Sequence, residues 1–124
     1  KHDGVPIGVW GELSIERAAL QRKIAAVLGP VPRLMPFGPV AVQRVGVITG
    51  AGGSMIADAA AVGLDTYITG EGPHHTFFDA EELGLNVFYA GHYATETVGV
   101  RALAEHLSST FAIPWVFLDH PTGL

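Results

Sequence analysis

His92 and Glu96 stand four residues apart, where an apolar strand-like run gives way to a helical stretch. In a first helical turn that spacing sends an imidazole and a carboxylate out from one face. The pair suits borderline divalent ions such as zinc, manganese or iron, whereas magnesium and calcium prefer all-oxygen shells. Two ligands alone do not make a tight site. The plainer reading is a helix start, with Glu96 solvated near the positive end of the dipole and His92 a polar first-turn residue. Spacing leaves both readings open.

A second group lies upstream, where Glu71, His74, His75 and Asp79 offer four donor side chains within nine positions. If a helix begins at Pro73, which suits a first helical position, His75 and Asp79 share a face. Adjacent histidines cannot point the same way, so one of the two belongs to the surface or to an outer shell. An exposed helix start bearing polar residues explains the same run.

The third is Gly50-Ala51-Gly52-Gly53-Ser54, between a strand and a helix. Backbone N–H groups and a helix dipole at such a turn can cradle an anion. The segment lacks the Gly-Lys-Ser or Gly-Lys-Thr ending of a phosphate-binding P-loop, and Met55 breaks a GxGxxG pattern. A tight turn that lets strand and helix pack closely accounts for the glycines more simply. Ser54 reads as a helix N-cap, because no G-x-S-x-G elbow surrounds it. His106, within the last helical stretch, and His120, after the last apolar run, read as structural or surface residues.

The elements that must position these groups alternate along the chain. Ser14 to Leu28 carries apolar residues near helical spacing, with Ser14 as N-cap and Gly29 as terminator. Prolines 30, 32, 36 and 39 then impose an extended connector. Beyond it, strand-like runs at Val45 to Thr49, Thr66 to Thr69, Val87 to Ala90 and Trp115 to Leu118 are separated by helical stretches near Ser54 to Val62, His74 to Leu83 and Ala94 to Ser109. The pattern predicts a three-layer α/β domain of βαβ type with a mainly parallel sheet. Loops leaving the carboxyl ends of such strands gather on one edge, where ligands bind. Gly53, Glu71 and His92 should therefore share one rim.

At 124 residues and 48% hydrophobic, the chain fits one domain, spanning 1–124, that fills a core without staples. Seven basic residues against twelve acidic give a net charge of −5, and the basic ones are scattered. No stripe exists to follow a phosphate backbone, so direct nucleic-acid binding is disfavoured. The absence of cysteine removes thiolate metal sites, thiol nucleophiles and disulfides. No apolar run approaches the roughly 20 residues of a spanning helix, and Lys1-His2-Asp3 does not open a signal peptide. The sequence reads as soluble and cytoplasmic.

Three strings in order carry a family resemblance: Thr49-Gly50-Ala51-Gly52-Gly53-Ser54; Ile68-Thr69-Gly70-Glu71 with His74-His75; and Ala90-Gly91-His92-Tyr93-Ala94-Thr95-Glu96. From about Gly8 to a closing Phe117-Leu118-Asp119, the chain resembles the carboxyl-terminal half of the Nif-three-like family, also described as dinuclear metal-centre proteins and homologues of a GTP cyclohydrolase type. The resemblance implies a toroidal homohexamer with two divalent metal ions per complete subunit, facing a central cavity. It makes His92 and Glu96 metal ligands, and places Glu71, His75, Gly52 and Gly53 around the pocket or behind the ligands. The other ligands, a histidine pair and an aspartate, belong to an amino-terminal half that this sequence lacks. Two functions are compatible with it. One is a metal-dependent hydrolase of nucleotides or phosphoesters, with Glu71 able to move a proton. The other is a non-catalytic metal-binding scaffold or regulatory module with protein partners.

Overall fold

The computed structural model describes residues 4–122, so the Lys1-His2-Asp3 start lies outside it. Five strands form one sheet among the described residues: β1 (Val9–Glu16), β2 (Arg33–Pro36), β3 (Ala41–Val47), β4 (Thr66–Thr69) and β5 (Asn86–Tyr89), in the order β1-β3-β4-β5-β2. The helices are α1 (Arg17–Leu28), α2 (Ile56–Ala61), α3 (Thr76–Leu83) and α4 (His92–Phe111), with a 3-10 turn at Gly53–Met55 before α2. The central pairs β3–β4 and β4–β5 are parallel, while both edge strands pair antiparallel, β1 with β3 and β2 with β5. The α/β class and the parallel centre follow the sequence pattern; the sheet as a whole is mixed, as larger α/β sheets commonly are.

Period-two alternation splits the core between two faces. Tyr67 and Val87 face α2 and α3, packing with Ile56, Ala59 and Ala80. Ile68 and Phe88 face the other way, against Leu20 and Ile24 of α1. Helix α4 lies on the α1 side, where Thr95 and Val98 line an apolar groove with Ile24 and Val27. Val87 and Phe88 are fully buried, and burial of a side chain of this size contributes about 1.5–3 kcal/mol.

Three expectations about elements are corrected. The helix expected from Ser14 begins at Arg17, because Val9–Glu16 pairs antiparallel with β3 as an edge strand, with a bulge between Glu12 and Ile15. Arg17 holds that junction: its N–H donates to the Val40 carbonyl at 2.8 Å, and its guanidinium to the Pro36 and Gly38 carbonyls and to Asn86 Oδ1. The proline connector contains β2, and proline is tolerated there because the strand lies at an edge. The expected strand at Trp115–Leu118 does not form. Ala112 turns left-handed (φ 54°), and the tail is held on α4 by Arg101 over the Phe117 ring and by the Tyr93 hydroxyl donating to Asp119. Apolar, β-branched composition could not separate a strand from a tail laid on a helix.

Candidate metal-ligand site

The carboxyl ends of β3, β4 and β5 open into the three loops that carry the candidate residues. At the end of β5, Gly91 takes φ 92°, a conformation that glycine enters without a steric penalty, and the chain turns directly into α4. His92 thus becomes the first residue of that helix, and Glu96 follows one turn later. Nε2 of His92 stands 3.3 Å from Glu96 Oε1. On the other side of the ring, Nδ1 stands 2.7 Å from Glu71 Oε1. Both contacts favour a proton on the imidazole: the Glu71 hydrogen bond raises the His92 pKa above its ordinary value, and Glu96 adds to the rise.

The loop after β3 closes on the same spot. Gly50 has φ 67°, and a Cβ there would lie 2.8 Å from Glu96 Oε1 and 3.2 Å from His92 Nε2. Only a residue without a side chain leaves the space between the two donor atoms open. The Gly50 N–H donates to Thr95 Oγ1 at 3.0 Å, and Thr95 is buried. The Thr95 hydroxyl lies 2.9 Å from the Gly91 carbonyl and 3.0 Å from that of His92, one of which takes its proton. The Gly50 carbonyl accepts from the N–H groups of Gly70 and Glu71 at 2.9 and 3.1 Å. The three rim loops therefore form one hydrogen-bonded unit.

That bonding also answers what the glycine-rich loop does. The N–H of Gly52 donates to Thr69 Oγ1, that of Gly53 to the Glu71 carbonyl, and that of Met55 to the Gly52 carbonyl. Tyr67 donates its hydroxyl to the Gly52 carbonyl at 2.8 Å, and burial pushes this phenol up to about 12. These donors are spent inside the fold, so the segment is a close-packed turn and not an anion cradle. Ser54 lies inside the 3-10 turn and makes no capping bond.

Gly53, Glu71 and His92 share one rim, as the βαβ reading expected. His75 does not join them: it is exposed, precedes a helix that starts at Thr76 and not at Pro73, and forms no side-chain hydrogen bond with the cluster. Gly52 and Gly53 are buried in the turn behind it. Sequence reasoning named Gly50 only as part of the glycine-rich turn and gave Thr95 no role, and so missed what each does at the site. A glycine following a strand and a threonine between two candidate ligands were the available signals, but neither type announces such a role.

Ligand atoms bonded at about 2.0–2.1 Å to a tetrahedral ion stand roughly 3.3–3.4 Å apart. The Nε2 to Oε1 separation of 3.3 Å fits that edge, and the side-chain-free space at Gly50 adjoins it. Among the described residues no cluster of three or more histidine, aspartate or glutamate side chains is arranged to hold a metal. The described residues thus place two side chains at ligand spacing and do not make up a complete shell.

The family model described as Duf34/NIF3 (NGG1p interacting factor 3) matches residues 1–122. Among curated relatives, a GTP cyclohydrolase 1 type 2 homolog of Deinococcus radiodurans is 46% identical over 98% of this chain and 47% of its own length. A protein of the same name from Archaeoglobus fulgidus is 39% identical over 100% of this chain and 49% of its own. Of solved structures, protein ybgI, described as of unknown function, superposes with a TM-score of 0.86 at 40% identity, over 95% of this chain and 49% of that one. Reduced HcgD from Methanocaldococcus jannaschii gives 0.77 at 29%, over 86% and 44%. The chain spans about half the length of the curated relatives it matches.

Proposed function

The chain belongs to the Duf34/NIF3 family, and from that premise we propose that it contributes His92 and Glu96 to a divalent-metal site, in an assembly that hydrolyses a nucleotide or another phosphoester. The observation that carries this reading is the two-sided imidazole, held at Nδ1 by Glu71 and facing Glu96 with Nε2 across the space that Gly50 leaves. Metal-bound histidines regularly donate their second N–H to a carboxylate, which fixes the tautomer and raises the basicity of the ligating nitrogen.

A divalent ion, or a pair of them, would supply Lewis acidity and lower the pKa of bound water. The chain's own residues do the positioning. Glu71 accepts from Nδ1–H and presents the Nε2 lone pair. Its engaged oxygen, Oε1, makes it a holding group for the imidazole. Glu96 brings a negative charge to offset the cation, and Thr95 locks the Gly50 loop to the turn that carries both donors. The remaining ligands come from the part of the relatives that this chain does not span, and two ions of the zinc, manganese or iron class per complete subunit in a homohexamer suit that division.

A second reading, a non-catalytic metal-binding scaffold or interaction module, draws on another observation. Val100, Leu103 and Phe111 of α4 and Val116 and Leu118 of the tail are exposed, more apolar surface on one element than a solitary domain needs. Metal analysis, particle size and phosphoester turnover would be measured together for the wild type, His92→Ala, Glu96→Ala and the double variant. The hydrolase reading expects each single change to be about as damaging to turnover as the double. Variants stripped of metal that still turn over substrate at the wild-type rate would refute it, and a metal-loaded wild type inert across a broad panel would leave the scaffold.

A further inference from the structure

A second recess lies on the same sheet edge, one residue from Glu71. It has a volume of about 250 Å³, and its walls include Arg33, Gly72, His74, Phe77, Phe78 and Tyr89. Arg33 begins β2 and pairs in register with Tyr89 at the end of β5. Both belong to the sheet face that packs on α3, since Met35 and Val87, two residues away on each strand, lie in that core. The recess is thus bounded by the carboxyl end of β5, the first turn of α3 and the Glu71–Pro73 loop, and carboxyl ends of parallel strands are where such sheets bind ligands.

Its chemistry has two halves. Arg33 is exposed and makes no ion pair or side-chain hydrogen bond among the described residues, and His74 stands in the same wall. A guanidinium with its donors free matches a phosphate in a two-point contact. The other half is aromatic. Phe77 is fixed edge-on by Phe37 at 5.1 Å, and Phe78, half exposed, meets the edge of His74 at 5.9 Å and of Phe77 at 5.6 Å. Tyr89 is no free donor here, because its hydroxyl is bonded to Thr76. Discrete recesses for drug-sized ligands run from about 300 Å³ upward, so this one takes a single ring with a short anionic group.

We propose that the Arg33–Phe78 recess is a binding subsite for a phosphate monoester carried on an aromatic ring, with Arg33 holding the phosphate and Phe78 lying against the ring. The assignment deepens the proposed function and rests on it for the link to hydrolysis. Binding itself requires no metal, so its test is run with a chelator present. Phenyl phosphate is titrated into the full chain, with inorganic phosphate and benzoate as comparisons, and followed by calorimetry and by the amide resonances of Gly72, Phe78 and Tyr89. Expected are saturable binding of phenyl phosphate that is tighter than either comparison, at least a tenfold loss in Arg33→Leu, a smaller loss in Arg33→Lys, and no change in Lys23→Ala, an exposed position of α1 on the other face of the sheet. Arg33 is exposed, and an unchanged amide spectrum elsewhere verifies the fold of each variant. Equal binding of all three probes, or wild-type affinity in Arg33→Leu, overturns the subsite. The His92→Ala and Glu96→Ala metal measurements are unaffected by that outcome, so the two readings fail separately.

Discussion

Glu71 Oε1 lies 2.7 Å from Nδ1 of His92, on the side of the imidazole away from the nitrogen that faces Glu96. Twenty-one residues separate the two in sequence, and each sits in the loop or first turn after a neighbouring parallel strand. Glu71→Ala should lower divalent-metal affinity roughly 10- to 100-fold, the range for loss of an outer-shell partner. Glu71→Gln, which keeps an acceptor, should lose less. Competition with a chromogenic chelator reads both, and equal affinities for Glu71→Ala and wild type would remove Glu71 from the site.

Gly50→Ala should strike the fold and the site together. Its φ of 67° places alanine in the left-handed region, at about 1–2 kcal/mol. The new methyl would also stand 2.8 Å from Glu96 Oε1. Denaturant unfolding should report the first effect, and weaker metal binding under conditions where the variant is fully folded should report the second.

Thr95→Val preserves shape while removing the acceptor for the Gly50 N–H. An orphaned buried donor costs about 1–3 kcal/mol. A midpoint shift of that size in urea, with amide hydrogen exchange at Gly50 accelerated more than in β4, is the expected result. Uniform acceleration across the sheet would argue against a local clamp.

Tyr67 predicts an alkaline limit. Its folded pKa, raised from 10.0 to about 12, lies above that of the unfolded chain. The stability it contributes is therefore fully present below about pH 10 and lost as pH rises toward 12. Unfolding followed against pH should show stability falling in that window for the wild type and less steeply for Tyr67→Phe. Identical profiles would mean that other groups govern the alkaline transition.

Intact binding capacity also has an expected ceiling. With two donors on the chain and no third among the described residues, titration calorimetry should find weak binding of zinc or manganese. A tight two-metal stoichiometry in this chain would show that the missing ligands are supplied by a second copy or by side chains not placed at the site here.

Alternating apolar runs, interrupting glycines and the i, i+4 pair were legible in the sequence because local periodicity encodes them. They gave the parallel centre, the strand Thr66–Thr69 without error, and the common rim of Gly53, Glu71 and His92. Residues 14–16, expected in a helix, and 115–118, expected in a strand, were misread for one reason: side-chain composition describes a residue's surroundings, and only pairing partners decide between strand, helix start and tail. Tertiary structure alone set Glu71 on His92, the Gly50 backbone against both donor atoms, Thr95 beneath the loop and Arg33 beside Tyr89. Those contacts join residues 21 to 56 positions apart, and such distances are fixed by the register and order of strands, which no local pattern contains.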